Sequence, residues 1–261
     1  MRRRAPATLV LTLLLVACAT SPLGRKQLAL MPESEMRQMG LQAFASIKKE
    51  TPIDHDAQAN AYVDCVANAI TREVGGNWEV VVFRDDAANA FALPGGKIGV
   101  NTGMLKVARN QDQLATVLGH EVAHVLAEHS NERVSQQFAV ESGLALVQAL
   151  GNPRSATGST MMGLLGVGAP YGILLPYSRI QESEADLYGL DIMARAGFDP
   201  QQSIDLWVNM EKAGAQGPPE FLSTHPSHNT RIRDLKARIP HALELRRQAQ
   251  ARGKKPLCKP G

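Results

Sequence analysis

Five consecutive residues, His120-Glu121-Val122-Ala123-His124, carry chemistry by type and by spacing. On a helix, positions i and i+4 lie one turn apart on the same face. Two imidazoles so placed reach one metal ion, with Zn–N bonds of ~2.0–2.1 Å. A zinc ion acidifies water from a pKa of 15.7 toward ~7, and Glu121 is placed to take the released proton and later hand it to a leaving amine. The competing reading is a helix with two surface histidines. The surroundings argue against it: Val117, Leu118, Val125 and Leu126 bury the helix, and Gly119 allows close approach on one side. Two histidines on a buried helix need partners.

A working zinc site needs a third protein ligand and an open fourth position. Glu182-Ser183-Glu184-Ala185-Asp186 supplies candidates on a later helix. Glu182 and Asp186 are i and i+4, so one can bind metal while the other accepts a hydrogen bond from a ligand histidine's far nitrogen. Alone, such a run reads as a solvated acidic face; beside the His120 motif it reads as part of the site.

HEVAH followed by ESEAD resembles the zinc metallopeptidases of the HtpX and CAAX-prenyl-endopeptidase type. In form the chain is nearest to their periplasmic lipoprotein subgroup, LoiP-like and similar to the peptidase domain of BepA. Two more stretches carry the resemblance: Asn89-Ala90-Phe91-Ala92-Leu93-Pro94-Gly95-Gly96, and Phe221 to Ser227 with Asn229 and Arg231. It runs from about Met36 to Ile239. The resemblance implies zinc as cofactor, one ion per chain, held by His120, His124 and Glu182, with Asp186 behind them and Glu121 and His225 catalytic. It implies a mainly α gluzincin-type fold with a small antiparallel β-sheet (α+β), whose HExxH helix carries the active site. Asn89, Ala90, Phe91 and Ala92 would bind substrate, an extended polypeptide pairing with the exposed edge of the hairpin. For His225 two roles stay open: a donor to the oxyanion, which is favoured, or a ligand that closes the zinc site, as in some relatives. His55, His129, His228 and His241 lack comparable context and are expected to be exposed.

The elements that must position these groups are mostly helical. Apolar residues recur at helical spacing over Ser34–Glu50, Asp54–Val74, Asn110–Glu128, Glu132–Leu150, Ser178–Ala196, Pro200–Ala213 and Asn229–Ile239. Strand signals are confined to Trp78–Phe83, Asn89–Leu93 and Lys97–Val100, the last two flanking the turn signature Pro94-Gly95-Gly96. Met161–Leu175 is apolar but broken by Gly163, Gly166, Gly168, Pro170 and Gly172, which reads as a mobile segment beside a cleft rather than a membrane helix.

The chain of 261 residues begins with Arg2, Arg3 and Arg4, then an apolar run Leu9–Ala17, too short to span a bilayer, then Cys18. Leu15-Val16-Ala17-Cys18 resembles a bacterial lipobox, so residues 1–17 read as a signal peptide and Cys18 as the lipidated residue. Ala19, rather than Asp, points to the periplasmic face of the outer membrane. Residues 18–32 are then a tether, 33–240 the metallopeptidase domain and 241–261 a basic, loosely held tail. Cys65 and Cys258 remain, either as one disulfide or as two free thiols. Without the three leader arginines, 25 basic residues face 25 acidic ones, and aromatics are only 5%, so nucleic acid is not an expected partner. The expected function is a lipid-anchored periplasmic zinc endopeptidase acting on misfolded or misassembled envelope proteins. The alternative is a chaperone-like binding lipoprotein with a closed or structural zinc site.

Overall fold

A computed structural model describes residues 18–139, 177–214, 221, 225 and 230–260. Residues 1–17, expected to be a signal peptide, the second half of the expected Glu132–Leu150 helix, the Gly-rich Met161–Leu175 segment and His228 lie outside the described residues. The elements run β1 (Cys18–Thr20), β2 (Lys26–Leu28), α1 (Glu33–Glu50), α2 (Ala57–Val74), β3 (Glu79–Phe83), β4 (Ala90–Leu93), β5 (Lys97–Asn101), α3 (Thr102–Val107), α4 (Gln111–Leu126), α5 (Arg179–Arg195), α6 (Gln202–Gly214) and α7 (Arg231–Ala251). A further helical stretch covers 129–139. Among the described residues no helix is long and apolar enough to cross a membrane.

Caps set the ends of the helices that matter. The Asn110 side chain accepts from the backbone N–H groups of Asp112 and Gln113 and starts α4. Ser178 and Gln181 form a reciprocal capping box that starts α5. The two helices then cross backbone to backbone. A Cβ on Gly119 would lie 2.8 Å from the Gly189 carbonyl oxygen, and one on Gly189 would lie 2.7 Å from the His120 nitrogen. Only two glycines allow that approach, and it brings the HExxH turn against Glu182 and Asp186.

The larger sheet has the order β3-β5-β4. β4 and β5 form the expected antiparallel hairpin, closed by Gly95 and Gly96 at φ of 88° and 72°. The sheet as a whole is mixed, not antiparallel, because β3 lies on the far side of β5 and runs parallel to it. Under this sheet α1 packs Phe44 against Phe83 and Phe91, a small core separate from the main one around α2, α4 and α5.

Both chain ends differ from expectation. Residues 18–32 are a strap, not a free tether: β1 pairs with β2, Gln27 Nε2 donates to the Ala127 carbonyl at 2.9 Å, and the Leu30 N–H donates to Ser135 Oγ at 2.8 Å. The basic C-terminal tail is also docked. Helix α7 continues through Pro240 to Ala251, although proline gives up a backbone donor there. Its second half is held by Arg246 Nη1 against Asp199 at 2.9 Å and by burial of Ala242 and Ala249. Beyond it, Lys254 pairs with Glu73 at 2.6 Å and Cys258 is disulfide-bonded to Cys65, 193 residues away. A crosslink over so long a loop restricts the unfolded chain most.

Candidate metal centre

Helix α4 brings His120 and His124 to one face, and α5 brings Glu182 opposite them. Their ligand atoms converge with one from His225. His120 Nε2 is 3.0 Å from His124 Nε2 and 3.2 Å from His225 Nδ1. Glu182 Oε1 is 2.9 Å from His225 Nδ1 and 3.4 Å from His124 Nε2. All four residues are buried, and the four ligand atoms lie within 4.8 Å of one another.

The residues fit a zinc ion. Donor atoms bound at ~2.0–2.1 Å in a tetrahedron sit about 3.3 Å apart, which is the spacing seen. The tautomers point the same way. His120 Nδ1 lies 3.0 Å from Asp186 Oδ1, close though off the ideal hydrogen-bond line, and beside a carboxylate it is the nitrogen assigned the proton, which leaves Nε2 bare. His124 Nδ1 faces His129 Nδ1 at 2.9 Å and is assigned the proton, again leaving Nε2 bare. Two bare nitrogen lone pairs facing each other at 3.0 Å repel unless a cation lies between them. Glu182 Oε2 and Glu121 Oε1 also accept no aligned hydrogen bond although buried, the first 2.8 Å from Arg231 Nη1 and the second 3.3 Å from His225 Nε2.

Electrostatics sort the acids. Burial raises the pKa of Glu121, only partly offset by His225 and His120. Burial would also raise Glu182, but the surrounding His225, His124 and His120 outweigh it and hold the carboxyl well below its ordinary range. Burial pushes His124 well down, which keeps the imidazole neutral as a metal ligand requires. Asp186 is held low despite burial, chiefly by Arg231, whose Nε and Nη2 donate to its two oxygens at 2.7 and 2.6 Å. Arg231 is itself buried and lies 3.9 Å from the centre of the Trp207 ring.

His225 Nδ1 lies within the cluster, at the distance a fourth ligand would take, so the ligand role and the oxyanion role both start from this position. The His225 backbone N–H donates to the Phe221 carbonyl at 2.9 Å, and the Phe221 ring stacks on the imidazole at 4.4 Å. The Phe221 N–H in turn donates to the Ala88 carbonyl at 3.2 Å, beside β4.

Two expectations about neighbours are corrected. The hairpin edge is covered rather than exposed: Asn89, Ala90, Phe91 and Ala92 are all buried, although β4 is the edge strand of its sheet, and the Ala92 N–H donates to Glu121 Oε2 at 3.2 Å. The Phe91 side chain faces away from the site, stacked on Phe83 at 6.0 Å. His129 is fully buried, not exposed, and touches His124. His55 and His241 are exposed as expected. Sequence reasoning missed His129 because α4 breaks after Leu126. On a continuous helix His129 would lie about 140° round from His124. Glu128, at φ 52°, returns the chain so that it does not.

The chain matches the model of peptidase family M48 over residues 43–239. It is 42% identical over 167 residues to the mitochondrial metalloendopeptidase OMA1 of Schizosaccharomyces pombe, covering 63% of this chain and 48% of that one. It is 32% identical over 238 residues to the human mitochondrial metalloendopeptidase OMA1, covering 86% and 44%. It is 27% identical over 202 residues to the beta-barrel assembly-enhancing protease of Yersinia pestis, covering 74% and 41%. The chain thus spans about half the length, or less, of these curated relatives.

Proposed function

The chain belongs to peptidase family M48, and from that premise we propose that it is a zinc-dependent endopeptidase anchored by lipid on Cys18 in the bacterial envelope. Its substrates are extended stretches of misfolded or misassembled envelope proteins. One observation carries the reading: three imidazole nitrogens and a carboxylate oxygen converge in a buried cluster with a further carboxylate, Glu121, directly beside it.

The roles follow from the geometry. His120, His124 and Glu182 hold the zinc, and Asp186, clamped by Arg231, fixes the His120 tautomer. The ion supplies an acidified water and positive charge for the scissile carbonyl oxygen. Glu121 takes the proton and returns it to the leaving amine, a task suited to a carboxylate whose pKa burial has raised. His225, whose Nδ1 lies within the cluster, would close the fourth position in the resting form. The Phe221 N–H is tied to the Ala88 carbonyl beside β4, so departure of Phe221 and His225 would free the fourth position and break a contact at the hairpin together. An extended chain then pairs with β4, and the His225 N–H can reach the carbonyl oxygen. Membership of the LoiP-like lipoprotein subgroup and the outer-membrane location rest on the lipobox-like Leu15–Cys18 and on Ala19. Those features favour the bacterial envelope although mitochondrial proteases are among the similar chains.

The position of His225 favours a second reading, a binding lipoprotein whose zinc stays closed. Glu121 separates the two, since a permanently closed site has no use for a general base. Zinc content and casein cleavage by the purified full chain decide between them. The peptidase reading expects Glu121→Gln to keep the zinc and lose ~10²–10⁴-fold in turnover. It expects His225→Ala to cleave faster than the unaltered chain while binding zinc somewhat less tightly. Stoichiometric zinc with no cleavage by either the unaltered chain or His225→Ala would establish the binding module instead.

A further inference from the structure

Behind His124 lies a second chain of polar groups that begins at His129. His129 Nε2 is 3.2 Å from Glu184 Oε2. Glu184 also accepts from the Ser21 hydroxyl on Oε1 and from Arg25 Nε at 2.7 Å on Oε2. Arg25 forks Glu132 with Nη1 and Nη2 at 2.6 and 2.7 Å, and Gln181 Nε2 donates to Glu132 at 2.8 Å. Ser21, His129, Glu132 and Glu184 are all buried.

We propose that His129 is a positioning residue of the metal centre: it orients the ligand His124 through an imidazole–imidazole hydrogen bond, Glu184 holds it in place, and the N-terminal strap fixes Glu184 through Ser21 and Arg25.

Proton accounting leaves a single consistent arrangement. His124 ligates through Nε2, so its Nδ1 is the donor, and His129 Nδ1 must accept. The proton of His129 is then on Nε2, which donates to Glu184. The two ligand histidines are therefore held differently. His120 leans on a carboxylate directly, whereas His124 reaches its carboxylate through a second imidazole. A buried polar network of this length is tolerated only when each member is satisfied, and here the strap supplies the closing contacts. The backbone supports the same assignment: Glu128, with φ 52°, is the one described residue other than glycine with positive φ, and it turns His129 toward His124. Strain of this kind persists where the surroundings over-determine it. The strap begins at Cys18, so the segment that leads to the proposed lipid also completes the support of a ligand.

The proposal rests on His124 being a zinc ligand, which His124→Ala tests separately: zinc affinity unchanged in that variant would sink the site, not the relay alone. For the relay, the full chain is purified with zinc. Its zinc dissociation constant is measured by chelator competition, and the visible spectrum is recorded after cobalt(II) substitution. His129→Phe keeps a buried ring and removes the acceptor. It is expected to weaken zinc ~10–100-fold and to shift the cobalt bands. His129→Asn, which keeps an acceptor oxygen near the Nδ1 position, should recover most of that loss. Arg25→Gln should weaken zinc several-fold alone and add little in the His129→Phe background, as for members of one network. Unchanged affinity and cobalt spectrum in His129→Phe would overturn the proposal. So would equal losses in His129→Phe and His129→Asn accompanied by lower melting temperatures of the zinc-free proteins, since that pattern marks packing alone. Additive effects of Arg25→Gln and His129→Phe would remove the strap from the relay.

Discussion

The α4–α5 interface and the small core between α1 and the sheet are both buried, yet they are built in opposite ways. The first buries His120, Glu121, His124, Glu182 and Asp186, and each is within hydrogen-bond or ion-pair distance of a named partner. The second buries Phe44, Phe83 and Phe91, packed edge-on or stacked at 6.0 to 6.3 Å between ring centres, with Ala43 and Leu93 around them. Rings of this kind can be exchanged for others of similar volume at modest cost. Buried charges cannot: losing one partner strands the other in a medium that solvates it poorly. The contrast teaches that the ring cluster can be altered without touching the chemistry, whereas α4 and α5 carry the chemistry and much of the main core together.

Glu182→Ala gives the largest break. It is expected to lose zinc and all peptidase activity, read by metal analysis of the purified chain and a casein assay. Glu184→Ala, two residues on, should weaken zinc without abolishing its binding, because Glu184 reaches the metal centre only through His129. The reverse ranking would mean that the third ligand has been assigned two residues off. Next in size is Arg231→Met, which fills much of the same volume but leaves Asp186 and Glu182 without their guanidinium. A cost of about 3–5 kcal/mol is expected from urea unfolding, the range for a buried pair robbed of one member. Zinc should weaken as well, since Asp186 would no longer be held against His120. A neutral outcome would show that the carboxylates are solvated or protonated rather than paired.

The two regions were also unequally legible. HEVAH and ESEAD announce themselves because metal chemistry demands particular residue types at helical spacing, and the caps at Asn110 and Ser178 place both helices to within a residue or two. What escaped depends on contacts between distant segments. Gly189 looks like any helical glycine until α4 is laid across it. His129 looks unplaced until the turn at Glu128 is known, although a second acidic residue in ESEAD, with no role beside Glu182, was a signal that something else needed a carboxylate. The strap and the tail read as loose because they are short, polar or basic. Their order comes from Glu132, Glu184, Glu73 and Cys65, which lie 100 or more residues away in sequence. The parallel pairing of β3 with β5 was invisible for a different reason, since β4 lies between them in the chain and no local turn joins them, whereas the β4–β5 hairpin, closed by a local turn, was plain.

The smallest effect is expected where the two regions touch. Strand β4 is their border, because successive side chains point to opposite faces. Ala90 and Ala92 belong to the main core and the Ala92 N–H serves Glu121, while Phe91 between them packs over Gly99, where any side chain would collide with the ring. As a substrate contact, which its sequence context suggests, Phe91 would change turnover when altered. As a member of the ring cluster it should change stability only. Phe91→Leu removes part of the ring while keeping an apolar side chain, so a loss below ~1.5 kcal/mol is expected. The kcat/KM for an unfolded protein substrate and the zinc affinity should match those of the unaltered chain. A tenfold fall in kcat/KM with the melting temperature intact would put Phe91 on the substrate side of the strand and dissolve the division between the two regions. Unchanged kinetics with a modestly lower melting temperature would place that division between Phe91 and Ala92, at a single peptide bond.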